Sequence, residues 1–173
     1  MAYVLILFGV ILRFLPHPAN FAPIAAIGLF SGCHLKKKYA FLLPLAAMLI
    51  SDYFIGFYSW KIMISVYLSF ALIGLIGVQI GNHKTVYTVL GGSLLGSVLF
   101  YLITNFAVWV FGSLYPHTWA GLLWCYTAAI PFFRNTVLGD LFYVSTLFGA
   151  YELARLLLEN KIPNQSTRGQ TSS

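Results

Sequence analysis

Few residues in this chain can do chemistry, with ten Lys and Arg and four Asp and Glu among 173 residues. The candidates are the carboxylates Asp52 and Asp140, the guanidinium groups of Arg13 and Arg134, and His17 and His117. The amides Asn20, Asn105 and Asn135 join them, with the rings of Tyr101, Trp109, Trp119 and Tyr126. Such a set suits capture of a small molecule: arginine for a carboxylate or phosphate, aromatic walls for a flat ring, and amides and aspartates as hydrogen-bonding and charged contacts. Asp52 and Asp140 with Arg13 and Arg134 also allow two acid–base pairs that neutralise one another to make burial tolerable. Covalent and metal chemistry are less well served. An intramembrane aspartyl protease carries a Gly-x-Gly-Asp turn, whereas the residues here are Val137-Leu138-Gly139-Asp140. No GxSxG elbow, HExxH helix or Walker A loop occurs. His17, His117, Cys125 and an aspartate lie on separate segments without metal-ligand spacing, and Cys33 with Cys125 makes no disulfide framework. No catalytic residue, resident metal or cofactor is expected.

The elements that position these residues must be membrane helices. The chain is 60% hydrophobic and 8% charged, with a mean hydropathy of +0.84. A soluble domain carries roughly 25% charged residues, so polar groups cannot cover this one and lipid must. The net charge of +6 is scattered, with no basic patch interleaved with stacking aromatics, so nucleic acid is not an expected partner. Apolar segments run at 1–15, 21–35, 39–58, 62–80, 86–112, 119–133 and 136–158. The first has no basic residue before it and no small-x-small cleavage site before Pro16, so it reads as a helix and not a signal peptide.

Cytoplasmic loops retain Lys and Arg. Six spans with both termini inside, and 119–133 as a re-entrant or interfacial piece before the last helix, place Lys36, Lys37, Lys38, Lys84, Arg155, Lys161 and Arg168 inside, against Arg13, Lys61 and Arg134 outside. A seventh span would move Arg155, Lys161 and Arg168 to the wrong side. Segments 1–15 and 21–35 are two short spans or one re-entrant hairpin, with the same parity. Residues 1–158 then form one transmembrane domain, and the polar residues 159–173 a disordered cytoplasmic tail.

On this topology the polar groups gather near the outer surface, where ionisable side chains usually face a cavity or a partner. The stretch RFLPHPANFAP, residues 13–23, reads as a rigid loop over a pocket, stiffened by Pro16, Pro18 and Pro23 and offering Arg13, His17 and Asn20. Taken alone it reads equally as a helix-ending turn whose arginine snorkels to the headgroups, and the clustering of the other polar groups at the same depth tips the reading toward the pocket loop. Tyr101, Asn105 and Trp109 are spaced by four and share one helix face. Gly92 and Gly96 form a GxxxG on the opposite side, suited to close packing on another helix.

The runs FLPHPANFAPIAAIGLFSG, PLAAMLISDYFIGF and YLITNFAVWVFGSLYPHTWAGLLWCYTAAIPFFRNTVLGDLFY resemble a family of small bacterial integral membrane proteins of unknown function. That family is in turn similar to the substrate-binding S components of energy-coupling-factor vitamin transporters. The resemblance implies a six-helix protein that takes a vitamin-like molecule at the outer face and docks with a transmembrane T component and two ATPases. S components dock through an Ala-x-x-x-Ala face on the first helix, which AYVLILFGVILRF lacks. Ala22 and Ala26, Gly28 and Gly32, or Ala150 and Ala154 are the substitutes on offer for helix packing or docking. The metal-transporting members begin Met-His; this chain begins MAYV, which argues against a metal substrate.

The expectation is therefore an all-α, multi-pass protein of the bacterial inner membrane. It is not an enzyme; it binds a small water-soluble molecule, and partner proteins energise its uptake. A structural or assembly protein whose polar cluster only locks helices together, and an intramembrane enzyme, are the alternatives.

Overall fold

The computed structural model of the protein describes residues 2–12, 15–16 and 18–159, and every regular element among them is a helix. These are α1 (Ala2–Leu12), α2 (Ile24–His34), α3 (Lys37–Ile55), α4 (Trp60–Gly81), α5 (Val86–Phe111) and α6 (Trp119–Glu159). Lipid offers a bare backbone no hydrogen-bond partner, and a helix satisfies its amides within its own segment. Four of the six, α3 to α6, are long and apolar enough to cross a membrane, the mark of a membrane protein in contact with lipid. Helices α1 and α2 have 11 residues each, about 16 Å at 1.5 Å per residue and roughly half a hydrocarbon core. The expected tail lies outside the described residues from position 160 onward, and α6 is described as far as Glu159.

The expected separate segment at 119–133 is not a separate element: it is continuous with the last helix. Arg134 and Asn135 do not break α6, because a helix satisfies its own backbone while polar side chains leave from its surface. Pro131 lies inside it, as prolines do in membrane helices when neighbours re-satisfy the freed carbonyl. The 41 residues of α6 make about 61 Å of helix.

Helix α2 is the centre of the bundle. Every residue from Ile24 to Gly32 is buried, with α1, α3, α4, α5 and α6 around it. Glycines permit this. A Cβ on Gly32 would stand 2.5 Å from the Gly74 carbonyl oxygen and 2.7 Å from the Val78 nitrogen, and one on Gly77 would strike the Leu29 carbonyl. Gly28 faces Phe70 and Gly74 across the same seam. Without a hydrophobic force between helices in lipid, close backbone approach through small residues is what holds them together. Gly92 and Gly96 of α5 likewise receive Ile80 and Ile76, and Ile73, from α4. Gly28, Gly32 and the fully buried Ala26 thus serve packing and present nothing to an outside partner. Ala22, Ala150 and Ala154 stay partly exposed.

The two ends of the bundle differ in charge. At one end Lys84 Nζ donates to His34 Nε2 at 2.8 Å and pairs with Glu152 at 3.3 Å, tying α2, the α4–α5 turn and α6 together. Arg155 joins Glu152 there, and Lys36, Lys37 and Lys38 follow α2 directly. Tyr3 meets Tyr39 edge-on, so α1 starts at this same lysine end. The other end carries the α3–α4 and α5–α6 connections, where Lys61 lies over the Phe111 ring.

Candidate ligand-binding chamber

Helices α5 and α6 pack antiparallel but out of step. Tyr101 Oη donates to the Tyr126 carbonyl, and Ser97 Oγ donates to Asp140 Oδ2. Fourteen residues of α6, about 21 Å, separate Tyr126 from Asp140, while Tyr101 and Ser97 are four apart, about 6 Å. Helix α6 therefore does not run straight down α5 between these points. The turn before α2 fills part of the opening. Asn135 donates to the Ala19 carbonyl, Phe21 packs against Phe142 and Tyr143, and Gly139 admits the Phe21 backbone, which a Cβ would meet at 3.0 Å. Asn20 turns the chain with φ of 63°, a left-handed conformation that asparagine tolerates better than most residues.

Two adjoining cavities remain. One, of about 350 Å³, is lined by Asn20, Met48, Phe70, Phe100, Thr136 and Asp140, with Ala22, Ala25, Ile55, Tyr58 and Val66. The other, of about 210 Å³, shares Asn20, Val66, Phe100 and Thr136 with it and adds Tyr101, Asn105 and Phe133 among its walls. Together they form a chamber among α2 to α6, with the Asn20 turn on one side and the α3–α4 connection on another.

Asp140 is the acidic residue of this chamber. It is 3% exposed, and its hydrogen bond to Ser97 is 2.6 Å long. Ser97 also lies 3.1 Å from the Ser93 carbonyl; it has one proton to give, and the shorter contact is to the carboxylate. One turn below, Ser93 Oγ is buried without a hydrogen-bond partner among the described residues. Most other buried hydroxyls bond to carbonyls of their own helix three or four residues back, as Ser31, Ser51, Ser69 and Thr136 do. Such back-bonding satisfies a hydroxyl in lipid at little cost.

Of the residues singled out from sequence, Asn20, Tyr101, Asn105 and Asp140 line the chamber together with Ala22. Asn105 spends one amide proton on the Tyr101 carbonyl. Asp52 is buried too but lines neither cavity; it faces α4, where Tyr67 Oη donates to its carboxylate at 3.0 Å. Trp109 ties the α5–α6 connection, donating Nε1 to the Pro116 carbonyl and meeting His117 edge-on. Tyr126 donates to the Leu102 carbonyl and Asn135 to Ala19. Trp119 is 82% exposed, and Arg134 is exposed as well. Arg13 and His17 lie outside the described residues. Sequence reasoning missed Met48, Phe70, Phe100, Thr136 and Ser97. In a chain this apolar, cavity walls look like any other helix face. Ser97 alone had a signal: Ser93 and Ser97 continue the four-residue ladder of Tyr101 and Asn105.

Among the described residues no group of three or more His, Cys, Asp and Glu could hold a metal ion. Residues 1–164 match a family of unknown function, DUF6580, and the chain belongs to it. No curated protein and no solved structure matches the chain.

Proposed function

We propose that this member of the DUF6580 family captures a small water-soluble molecule in the chamber among α2 to α6 and hands it on for uptake driven by partner proteins. The observation that carries the reading is the chamber itself. Its larger cavity, about 350 Å³, falls in the size range of small-molecule sites, roughly 300–1,000 Å³. Its walls are apolar and aromatic, with Asn20, Asn105, Thr136 and Asp140 as a few convergent polar groups, the mixture that orients a ligand.

The charge distribution favours a cytoplasmic lysine end. Lys36, Lys37, Lys38, Lys84 and Arg155 gather there, against Lys61 at the other end, and positive charge stays inside. The chamber borders the α3–α4 connection of the opposite end, so a molecule would enter from outside. An energising transmembrane T component with two ATPases remains the proposed partner of an S-component-like protein. Since Gly28 and Gly32 are consumed by packing, the partly exposed Ala150 and Ala154 of α6 are the small-residue pair left for docking.

A second reading, a ligand-free assembly protein, draws on a different observation: Asp52–Tyr67, Ser97–Asp140 and Asn135–Ala19 each tie one helix to a neighbour or a turn. Native mass spectrometry of the detergent-purified protein separates the two. Thr136 lines both cavities, and among the described residues its hydroxyl bonds only to its own helix, so Thr136→Phe fills the chamber without removing a tie seen between helices. A co-purified small molecule present in wild type and absent from Thr136→Phe supports capture. Two equally stable, bare proteins, still bare after incubation with a vitamin panel, sink it in favour of assembly.

A further inference from the structure

The chamber has a chemical bias that narrows its occupant. A carboxylate taken into a bilayer must be neutralised by a partner, a bound ion or a proton. Asp140 is 3% exposed, and among the described residues the hydroxyl of Ser97, on one carboxylate oxygen, is what meets it. No lysine, arginine or histidine is found among the described residues lining either cavity. The walls around Asp140 are Phe70 and Phe100, whose ring centroids lie 5.2 Å apart, with Met48, Val66 and Tyr58. Aromatic faces attract cations, most strongly where water is excluded.

Geometry also chooses between kinds of cation. A bare calcium ion asks for six to eight oxygens and a magnesium ion for six, whereas among the described residues the lining of the larger cavity supplies oxygen side chains from Asn20, Tyr58, Thr136 and Asp140 alone. The cavity, about 350 Å³, is also roughly ten times the share of one water molecule in the liquid. An inorganic ion would rattle in an apolar cage; a cation with an organic body would fill it.

We propose that the occupant is a small organic cation, an ammonium or amidinium group borne on an aromatic or alkyl body. Its charge rests on Asp140 and its body lies against Phe70, Phe100 and Met48. The inference rests on the capture reading above and specifies its substrate class. Ser97 then acts as a positioning residue, holding one carboxylate oxygen so that the other faces the ligand.

The test uses the full-length protein in lipid nanodiscs and three permanent or strongly basic cations, benzyltrimethylammonium, phenylguanidinium and choline. Benzyl alcohol and benzoate serve as the neutral and anionic counterparts. At least one cation is expected to bind, and the neutral and anionic probes to bind at least about tenfold more weakly. Asp140→Asn keeps the shape and the contact to Ser97 but removes the charge. It is expected to weaken cation binding about thirtyfold or more, the scale seen when one partner of a buried charged pair is lost. Should Asp140→Asn fail to fold, the charge selectivity of the wild type decides alone. Benzoate or benzyl alcohol binding as tightly as the cations, or cation binding unchanged in a folded Asp140→Asn, overturns the cationic class and leaves capture standing. No binding by any probe, with no co-purified molecule in the wild type, overturns both.

Discussion

Replacing Gly32 by alanine adds one methyl group to the most crowded seam of the bundle, and the structure allows its cost to be worked out. The new Cβ would lie 2.5 Å from the Gly74 carbonyl oxygen, 2.7 Å from the Val78 nitrogen and 2.8 Å from the Gly77 carbonyl carbon. All three are backbone atoms of α4, so no side chain can swing away. Ordinary contact needs about 3.5 Å, so α2 and α4 must part by about 1 Å, enough to forfeit a quarter to a half of each dispersion contact along the seam. Overpacking of this kind costs about 1–3 kcal/mol, and alanine returns about 1 kcal/mol of helix propensity over glycine. The expected net loss is about 0–2 kcal/mol against wild type, and about 1–3 kcal/mol against a substitution that gains the propensity without the clash. Gly91 is the control, because a Cβ there meets nothing within 4 Å; Gly91→Ala keeps the propensity gain without the clash. Unfolding by sodium dodecyl sulfate titrated into mild-detergent micelles, followed by circular dichroism, reads both. Gly32→Ala as stable as Gly91→Ala refutes the reasoning that the α2–α4 seam is held by backbone proximity.

Two further outcomes follow from the ends of the bundle. Glu152 accepts from Lys84 and Arg155 while more than a third exposed, so Glu152→Gln should cost no more than about 1 kcal/mol. That cost should shrink between low and high salt in the same unfolding titration, as screening predicts; a larger, salt-independent loss would show that the tie is enclosed. With Cys33 and Cys125 replaced by serine, a cysteine introduced at Lys37 should react with a membrane-impermeant maleimide in cells only after permeabilisation, and one at Thr118 without it. The reverse pattern overturns the cytoplasmic assignment of the lysine end.

Much of the fold was legible because lipid leaves few choices. Apolar runs at 39–58, 62–80 and 86–112 became α3, α4 and α5 within two or three residues, since a hydrophobic stretch of span length has no stable form in lipid other than a helix. Arg134-Asn135 misled, because a polar pair between apolar runs looks like a boundary. In α6 Arg134 points to the surface and Asn135 reaches the Ala19 carbonyl, so neither interrupts the backbone. The chamber was half legible. Asn20, Asn105 and Asp140 stood out as polar groups too costly to be idle, whereas Phe70, Phe100 and Met48 became walls only through the offset of α5 against α6. A single sequence does not display that offset, because it depends on which residues of two distant segments meet.

The burial of α2 on every side bears on how the protein is made. Emerging before α3, α4 and α5, its 11 residues are too few to cross the bilayer alone, and the glycine seam that receives them belongs to α4. At roughly 5–20 residues per second of synthesis, the segment Ile24–His34 must wait several seconds for Gly74 and Gly77 to arrive. During that interval α2 has only α1, the emerging α3 and the insertion machinery for company. Assembly therefore closes from the later helices back onto the earlier ones, and a ribosome stalled before Gly77 would leave a nascent chain whose central helix lacks the glycine seam it docks on.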